Sequence, residues 1–174
     1  MTAEILVLRL LHILGGIFWV GSGLFTIFFL MPALAASGPA AGQVMAGLQQ
    51  RRLHIVMPIV ALLTIASGLR LMWIMSAGFA PAYFASGVGR TFAWSGAAAI
   101  VSFLIAVGVA RPASVRAMKL SASLATAADS AREAVSAQLA GLQRRAMIAS
   151  IIAVALVVLA AAGMARVNAT DTTP

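Results

Sequence analysis

The chain has 174 residues, of which 62% are hydrophobic and only 9% are charged. Soluble domains carry about 25% charged residues, so a soluble fold of this length would lack the polar surface to cover itself. There is no cysteine, which excludes disulfides, thiolate metal sites, iron–sulfur clusters and thiol nucleophiles. The net charge is +8, but the basic residues flank apolar runs, so they favour anionic lipid headgroups over nucleic acid.

Four apolar runs are long enough to cross a lipid bilayer, which takes about 20 helical residues. The predicted spans are about 5–34, 53–76, 90–110 and 146–166. The first run is too long for the apolar core of a cleaved signal peptide, so we expect it to be a span. The sequence therefore predicts an all-α fold, a four-transmembrane-helix bundle forming a single integral membrane domain over residues 1–174.

Basic residues are divided unequally between the two sides of this bundle. Eight lie between spans one and two or between spans three and four: Arg51, Arg52, Arg111, Arg116, Lys119, Arg132, Arg144 and Arg145. Three lie on the opposite side: Arg9, Arg90 and Arg166. Because cytoplasmic loops carry an excess of Lys and Arg, we expect both long connections in the cytoplasm. Both termini then face the periplasm, across a bacterial inner membrane.

Two similar segments introduce the second and fourth spans. Residues 46–52 read Ala-Gly-Leu-Gln-Gln-Arg-Arg, and residues 140–145 read Ala-Gly-Leu-Gln-Arg-Arg. In addition, Pro32 follows span one and Pro112 follows span three. This pattern predicts two repeated helical hairpins related by an axis along the membrane normal, with chance similarity of membrane-edge sequences as the alternative. The predicted hairpins cover residues 1–76 and 90–166.

The connection between spans three and four is the longer one. Apolar residues recur there at helical spacing, and Ser130 and Glu133 fit a capping box. A helix is therefore predicted to begin near Ala131 and to run into span four. The second hairpin then has a helical extension that projects into the cytoplasm or lies on the headgroups.

Span one carries small and polar residues on one helical face. They recur at steps of three and four residues and are His12, Gly16, Trp19, Gly23 and Thr26, with Gly15 beside them. A histidine inside a span is costly and is a candidate for function, and glycines admit a neighbouring helix or a flat ligand. The alternatives are a neutral histidine hydrogen-bonded to another helix and an ordinary helix-packing stripe.

Span two carries further polar and soft side chains. Arg70 interrupts it near its outer end, either to balance carboxylates such as haem propionates or to snorkel toward the headgroups. Met72 and Met75 lie at the same level and, with His12, offer the donors that Cu(I) prefers; packing against lipid is their alternative. His54 follows two arginines, so a position among headgroups is favoured over metal binding.

Catalysis by buried carboxylates is not expected. The chain has four acidic residues, none of them within a predicted span: Glu4, Asp129, Glu133 and Asp171. No hydrolytic triad can be composed from these residues, so the sequence assigns no catalytic residue.

Residues 11–21 read Leu-His-Ile-Leu-Gly-Gly-Ile-Phe-Trp-Val-Gly. This stretch resembles the first span of a bacterial group that includes copper-resistance D-type membrane proteins and the membrane-bound protoporphyrinogen oxidase that binds b-type haem. These proteins share a histidine, then glycine, then tryptophan–x–glycine on the first helix. The resemblance implies that His12 is a haem or metal ligand. Unlike the oxidase, the chain has no lysine within its predicted spans.

The first predicted function is a b-type haem protein with a redox or haem-handling role. His12 would be an axial ligand, and the other residues predicted to border the haem are Gly15, Gly16, Trp19, Gly23 and Arg70. His54 lies in the opposite leaflet, more than about 10 Å away by helix rise. The iron would therefore be five-coordinate, or would take a methionine or a ligand from another subunit.

Two alternatives belong to other classes. One is a copper-handling membrane protein that uses His12 with Met72 and Met75, and more weakly His54. The other is a non-catalytic assembly subunit whose glycine face docks a partner helix, in a homo-oligomer or with another membrane protein.

Overall fold

The computed structural model describes residues 2–124 and 128–170, and helices account for nearly all of them. Four helices are long and apolar enough to cross a membrane, namely Ala3–Ala36, Leu53–Met75, Gly87–Ser123 and Ser130–Val167. The prediction of an all-helical membrane protein with four spans is confirmed at this level. The ends of the predicted domain, including Asp171, lie outside the described residues.

The first long helix runs through a proline. It comprises α1 (Ala3–Phe25), a first π-helical segment (Thr26–Leu30) and α2 (Met31–Ala36). Pro32 has no N–H to donate, and its ring crowds the carbonyl four residues earlier. The backbone widens just before it, so that the N–H of Met31 bonds to the carbonyl of Thr26, five residues back.

The third long helix has the same construction. It comprises α6 (Gly87–Ile105), a second π-helical segment (Ala106–Ala110) and α7 (Arg111–Leu124). The N–H of Arg111 bonds to the carbonyl of Ala106, and Pro112 follows directly. In both helices the π-helical segment therefore ends two residues before the proline.

Shorter helices connect the spans, and the last helix is the longest. The remaining elements are α3 (Ala41–Gln50), α4 (Leu53–Met75), α5 (Pro81–Ala85) and α8 (Asp129–Thr170). The last helix begins two residues before the predicted start near Ala131 and continues without a break into span four. At about 1.5 Å per residue, its 42 residues exceed the roughly 30 Å of a hydrocarbon core. Helix α8 is therefore longer than one span requires, and where its first part lies relative to the membrane stays a prediction.

Consecutive spans are the closest neighbours in the bundle. Helix α1 packs mainly on α4, and α6 mainly on α8, while smaller contacts join α4 to α6 and α1 to α8. The buried residues along these seams are small, as in membrane bundles generally: Ala61, Ser67, Ser95, Ala149, Ala153 and Ala160. Large apolar side chains point outward instead, for example Ile17 and Leu159, each 66% exposed. This outward apolar surface is suited to lipid.

A serine ties α6 to α8 inside the second pair. Ser102 is only 1% exposed, and its Oγ donates to the carbonyl of Ala153 at 2.6 Å. Replacing Ser102 with alanine should lower the free energy of unfolding by about 1 kcal/mol, because interhelical hydrogen bonds in membranes contribute about 0.6–2 kcal/mol. Unfolding in a detergent–SDS titration measures this change.

Ser114→Ala is the matched control for that variant. The hydroxyl of Ser114 donates to the carbonyl of Ala110, four residues earlier in its own helix, so its loss breaks no interhelical bond. If the two variants unfold at the same SDS fraction, the Ser102 bond contributes nothing to helix association.

Candidate ligand site between the first two spans

His12 faces α4 and is hydrogen-bonded to its backbone. Its Nδ1 lies 2.8 Å from the carbonyl oxygen of Thr64. Because a carbonyl oxygen only accepts, Nδ1 donates in this bond, and in an uncharged imidazole with its hydrogen on Nδ1 the free lone pair is on Nε2. Among the described residues, none is hydrogen-bonded to Nε2. The ring is thus held through Nδ1.

Gly68 makes this close approach possible. A Cβ built at Gly68 would lie 2.6 Å from Cε1 and 2.9 Å from Nδ1 of His12, which is closer than real Cβ contacts. The sequence alone did not connect Gly68 with His12. The available signal was the run of small and polar residues from Thr64 to Gly68 at mid-span.

The α4 wall beside His12 is polar but internally satisfied. Thr64 and Ser67 are buried, the Thr64 hydroxyl donates to the carbonyl of Val60 at 2.8 Å, and the Ser67 hydroxyl donates to that of Leu63 at 2.7 Å. Such back-bonding to the preceding turn is how hydroxyls are accommodated in lipid. The side chains therefore shape the wall without adding a second ligand.

The predicted glycines differ in what fills the space beside them. A Cβ at Gly15 would overlap Thr64 Oγ1, and one at Gly23 would lie 2.8 Å from a methyl of Val154 on α8. A Cβ at Gly16 would make only an ordinary contact, 3.9 Å from Thr64 Cγ2. Gly15 and Gly23 thus allow close approach of the chain's own helices, whereas Gly16 has room for a Cβ. Trp19 is half-buried on α1.

Arg70 is paired with an acid that sequence reasoning did not single out. Its Nη2 and Nε lie 2.7 and 2.9 Å from Oε1 of Glu4. Both side chains are half-exposed. The pairing follows from the antiparallel contact of α1 with α4, which brings the start of one helix beside the end of the other. The Arg70 charge is therefore already offset by a carboxylate of the protein.

The structure does not gather the other predicted donors around His12. The Met72 methyl lies 3.4 Å from a Cβ built at Gly96, so it faces α6, and Met75 is 51% exposed. His54 is exposed in the first turn of α4, ten residues before Thr64, or about 15 Å along the helix. Among the described residues, no three histidine or carboxylate side chains form a group that would hold a metal ion.

An aromatic cluster near the Arg70 end of the bundle was not predicted. Phe79 stacks edge-on against Trp73 at 5.2 Å, and Phe84 does so against Tyr83 at 5.4 Å. Burial raises the pKa of the Tyr83 phenol above its ordinary value. Its hydroxyl oxygen is buried without a hydrogen-bond partner in the described part of the chain. Aromatic side chains of this kind concentrate at membrane–water interfaces.

Comparison with known proteins gives no relative for this chain. No family model, no curated protein and no solved structure matches it. The resemblance of residues 11–21 to haem- and copper-associated membrane proteins therefore stays a prediction. The described residues form a four-helix membrane protein in which His12 of the first span is hydrogen-bonded to the backbone of α4.

Proposed function

We propose that this membrane protein binds b-type haem through Nε2 of His12 and has a redox or haem-handling role. The observation that supports the proposal is the hydrogen bond from Nδ1 of His12 to the carbonyl of Thr64. Histidines that ligate metals almost always donate their other ring N–H to a carbonyl, carboxylate or water, which fixes the tautomer and the ring orientation. His12 has this arrangement, and it lies in the stretch that resembles haem-binding proteins.

His12 is the one iron ligand that this proposal takes from the described residues. His54 is about 15 Å along α4 from the His12 contact, so the iron would be five-coordinate or would take a methionine or a ligand from a second copy. Gly16 and Trp19 are the predicted neighbours best placed to border the macrocycle, because protein atoms already occupy the space beside Gly15 and Gly23. A bound haem would supply one-electron chemistry, which the protein tunes through the ligand, its hydrogen bond and burial.

Arg70 has a more limited part in this proposal than the sequence suggested. Since Glu4 already pairs with it, a propionate would have to share the guanidinium with that carboxylate. An Arg fork has five N–H donors, and only Nε and Nη2 contact Glu4. Donors remain for one additional carboxylate.

We also infer the two-hairpin repeat and the cytoplasmic position of its long connections. The repeat is supported by the two π-helical segments, each ending two residues before Pro32 or Pro112. The orientation is supported by the eight basic residues of the long connections against three on the other side. This topology fits a bacterial inner membrane with both termini in the periplasm.

Optical spectra test the haem proposal directly. We expect detergent-purified protein, supplemented with haem, to show a Soret band that shifts on reduction with dithionite. His12→Ala should abolish the band because it removes the iron ligand, whereas His54→Ala, the other histidine of the chain, should leave it unchanged.

Three results would overturn the proposal. They are a featureless spectrum after haem supplementation, a band that survives His12→Ala, and a band that both histidine variants lose equally. Copper binding without a Soret band would favour the copper-handling function. If the protein bound neither haem nor copper, the result would favour the assembly role.

A further inference from the structure

A groove lies between α8 and the far end of α6, distant from His12. It is an open surface groove with a volume of about 590 Å³. The lining residues that matter here are Ile105, Val109, Arg144, Arg145, Ile148 and Ile152. From Gly141 to Ile152 the groove follows α8 for about 16 Å. One part of it is therefore apolar, and the other is bordered by two arginines.

The apolar part lies within the spans. Ile148 and Ile152 belong to the uncharged stretch of α8, and Ile105 and Val109 belong to the end of the third span. Val109 is in the second π-helical segment, where the backbone is wider than an α-helix. Both isoleucines of α8 are almost half-exposed. This surface is continuous with the lipid-facing surface of the bundle and suits a hydrocarbon chain.

The charged part lies at the membrane edge. Arg144 and Arg145 are exposed where the uncharged stretch of α8 begins, and no ion pair with either is found among the described residues. Glu133, the nearest acid along α8, is eleven residues away, or about 16 Å. The hydrogen bond between Ser102 and Ala153 fixes an antiparallel register, which brings Arg111 to about the level of Arg144. In the described part of the chain, this level carries positive charge that no ion pair with a carboxylate offsets.

We propose that this groove binds an anionic phospholipid, with one acyl chain along Ile148 and Ile152 and the phosphate held by Arg144 and Arg145. The charge complements a phosphate, and guanidinium forks bind phosphate oxygens in pairs. The apolar groove begins directly beside the arginines, as the acyl chain begins beside the headgroup. A free phosphate ion would use the arginines but would leave the groove empty. The site is independent of the haem proposal.

Native mass spectrometry of the full chain, delipidated in mild detergent, tests the charged part. The probes are phosphatidylglycerol and phosphatidylcholine with identical acyl chains. We expect preferential binding of phosphatidylglycerol, and we expect Arg144→Gln with Arg145→Gln to weaken it by at least about tenfold, since the loss of a single charged contact already has that effect. Arg51→Gln with Arg52→Gln removes the same charge from the similar segment before α4 and should change binding less than about twofold.

A second pair of variants tests the acyl chain. Ile151 and Ile152 are neighbours on α8 with similar exposure, 47% and 46%, but Ile152 lines the groove and Ile151 does not. Ile152→Trp puts side-chain volume into the apolar part of the groove without changing charge, and should weaken phosphatidylglycerol binding several-fold. Ile151→Trp should not.

Each contrary outcome overturns the proposal. Equal losses in the two arginine pairs would mean that net charge alone attracts the lipid. Unchanged binding in Ile152→Trp would mean that no acyl chain occupies the groove. Equally tight binding of glycerol phosphate, which has no acyl chain, would identify a phosphate site and not a lipid site.

Discussion

Gly89→Ala is expected to lower the free energy of unfolding by about 1–3 kcal/mol, the usual cost of overpacking. Gly89 is a buried residue in the first turn of α6, and a Cβ there would overlap the backbone carbonyl of Tyr83. That carbonyl cannot easily move, because it accepts hydrogen bonds from the hydroxyl and the backbone N–H of Ser86, at 2.6 and 3.1 Å.

The N-cap of α6 depends on the same atoms. The Ser86 hydroxyl also accepts from the N–H of Gly89 at 3.0 Å. A methyl group at Gly89 that pushes α5 away from α6 would therefore break the cap, whose loss costs about 1 kcal/mol. Far-UV circular dichroism during thermal unfolding in detergent measures the combined loss.

Gly87→Ala is the matched control in the same turn. Nothing lies within 4 Å of a Cβ built there, and alanine is the better helix former by up to about 1 kcal/mol. The two alanine variants should therefore move the unfolding midpoint in opposite directions. Equal midpoints would show that the α5–α6 corner is looser than the structure has it.

Gly68→Ala is expected to weaken haem binding by about 10- to 100-fold, the usual effect of losing the residue that orients a ligating histidine. The new methyl group would lie 2.6 Å from Cε1 of His12, so the ring must turn away. Turning breaks the hydrogen bond from His12 to the Thr64 carbonyl. Nε2 then points in another direction, and the bond that held the hydrogen on Nδ1 is lost. Titration with haem, followed at the Soret band, gives the affinity.

Gly108→Ala is the control for this variant. Gly108 lies in the third span, is exposed, and has nothing within 4 Å of a built Cβ. Its haem affinity should match that of the parent protein. If Gly68→Ala binds haem as tightly as Gly108→Ala does, the Thr64 bond does not position the ligand, even where His12 itself proves essential.

Hydropathy predicted the four spans because each apolar run is long and nearly free of charge. The extension of α8 was also predictable, since helical periodicity continues from the connection into span four. The prolines were harder. Pro32 and Pro112 were read in the sequence as the ends of spans, yet both long helices continue past them. A π turn before each proline accommodates the hydrogen bond that the proline cannot donate.

The contacts of the candidate site depend on information that no single span contains. His12 was recognised from its own helix, but its partner carbonyl and Gly68 are defined only by the rotation and register of α1 against α4. The ion pair of Glu4 with Arg70 was missed for the same reason. To predict contacts between side chains of different helices, one must know which helices pair and in which register. Hydropathy contains neither.

The pairing of consecutive spans has a consequence for biosynthesis. The ion pair of Glu4 with Arg70 and the bond from His12 to Thr64 both lie within the first 70 residues. The first two spans can therefore satisfy these polar groups on each other while the ribosome is still synthesising the third. The charges of Arg70 and Glu4 and the imidazole of His12 therefore need not stay unpaired in the lipid until the last two spans are made.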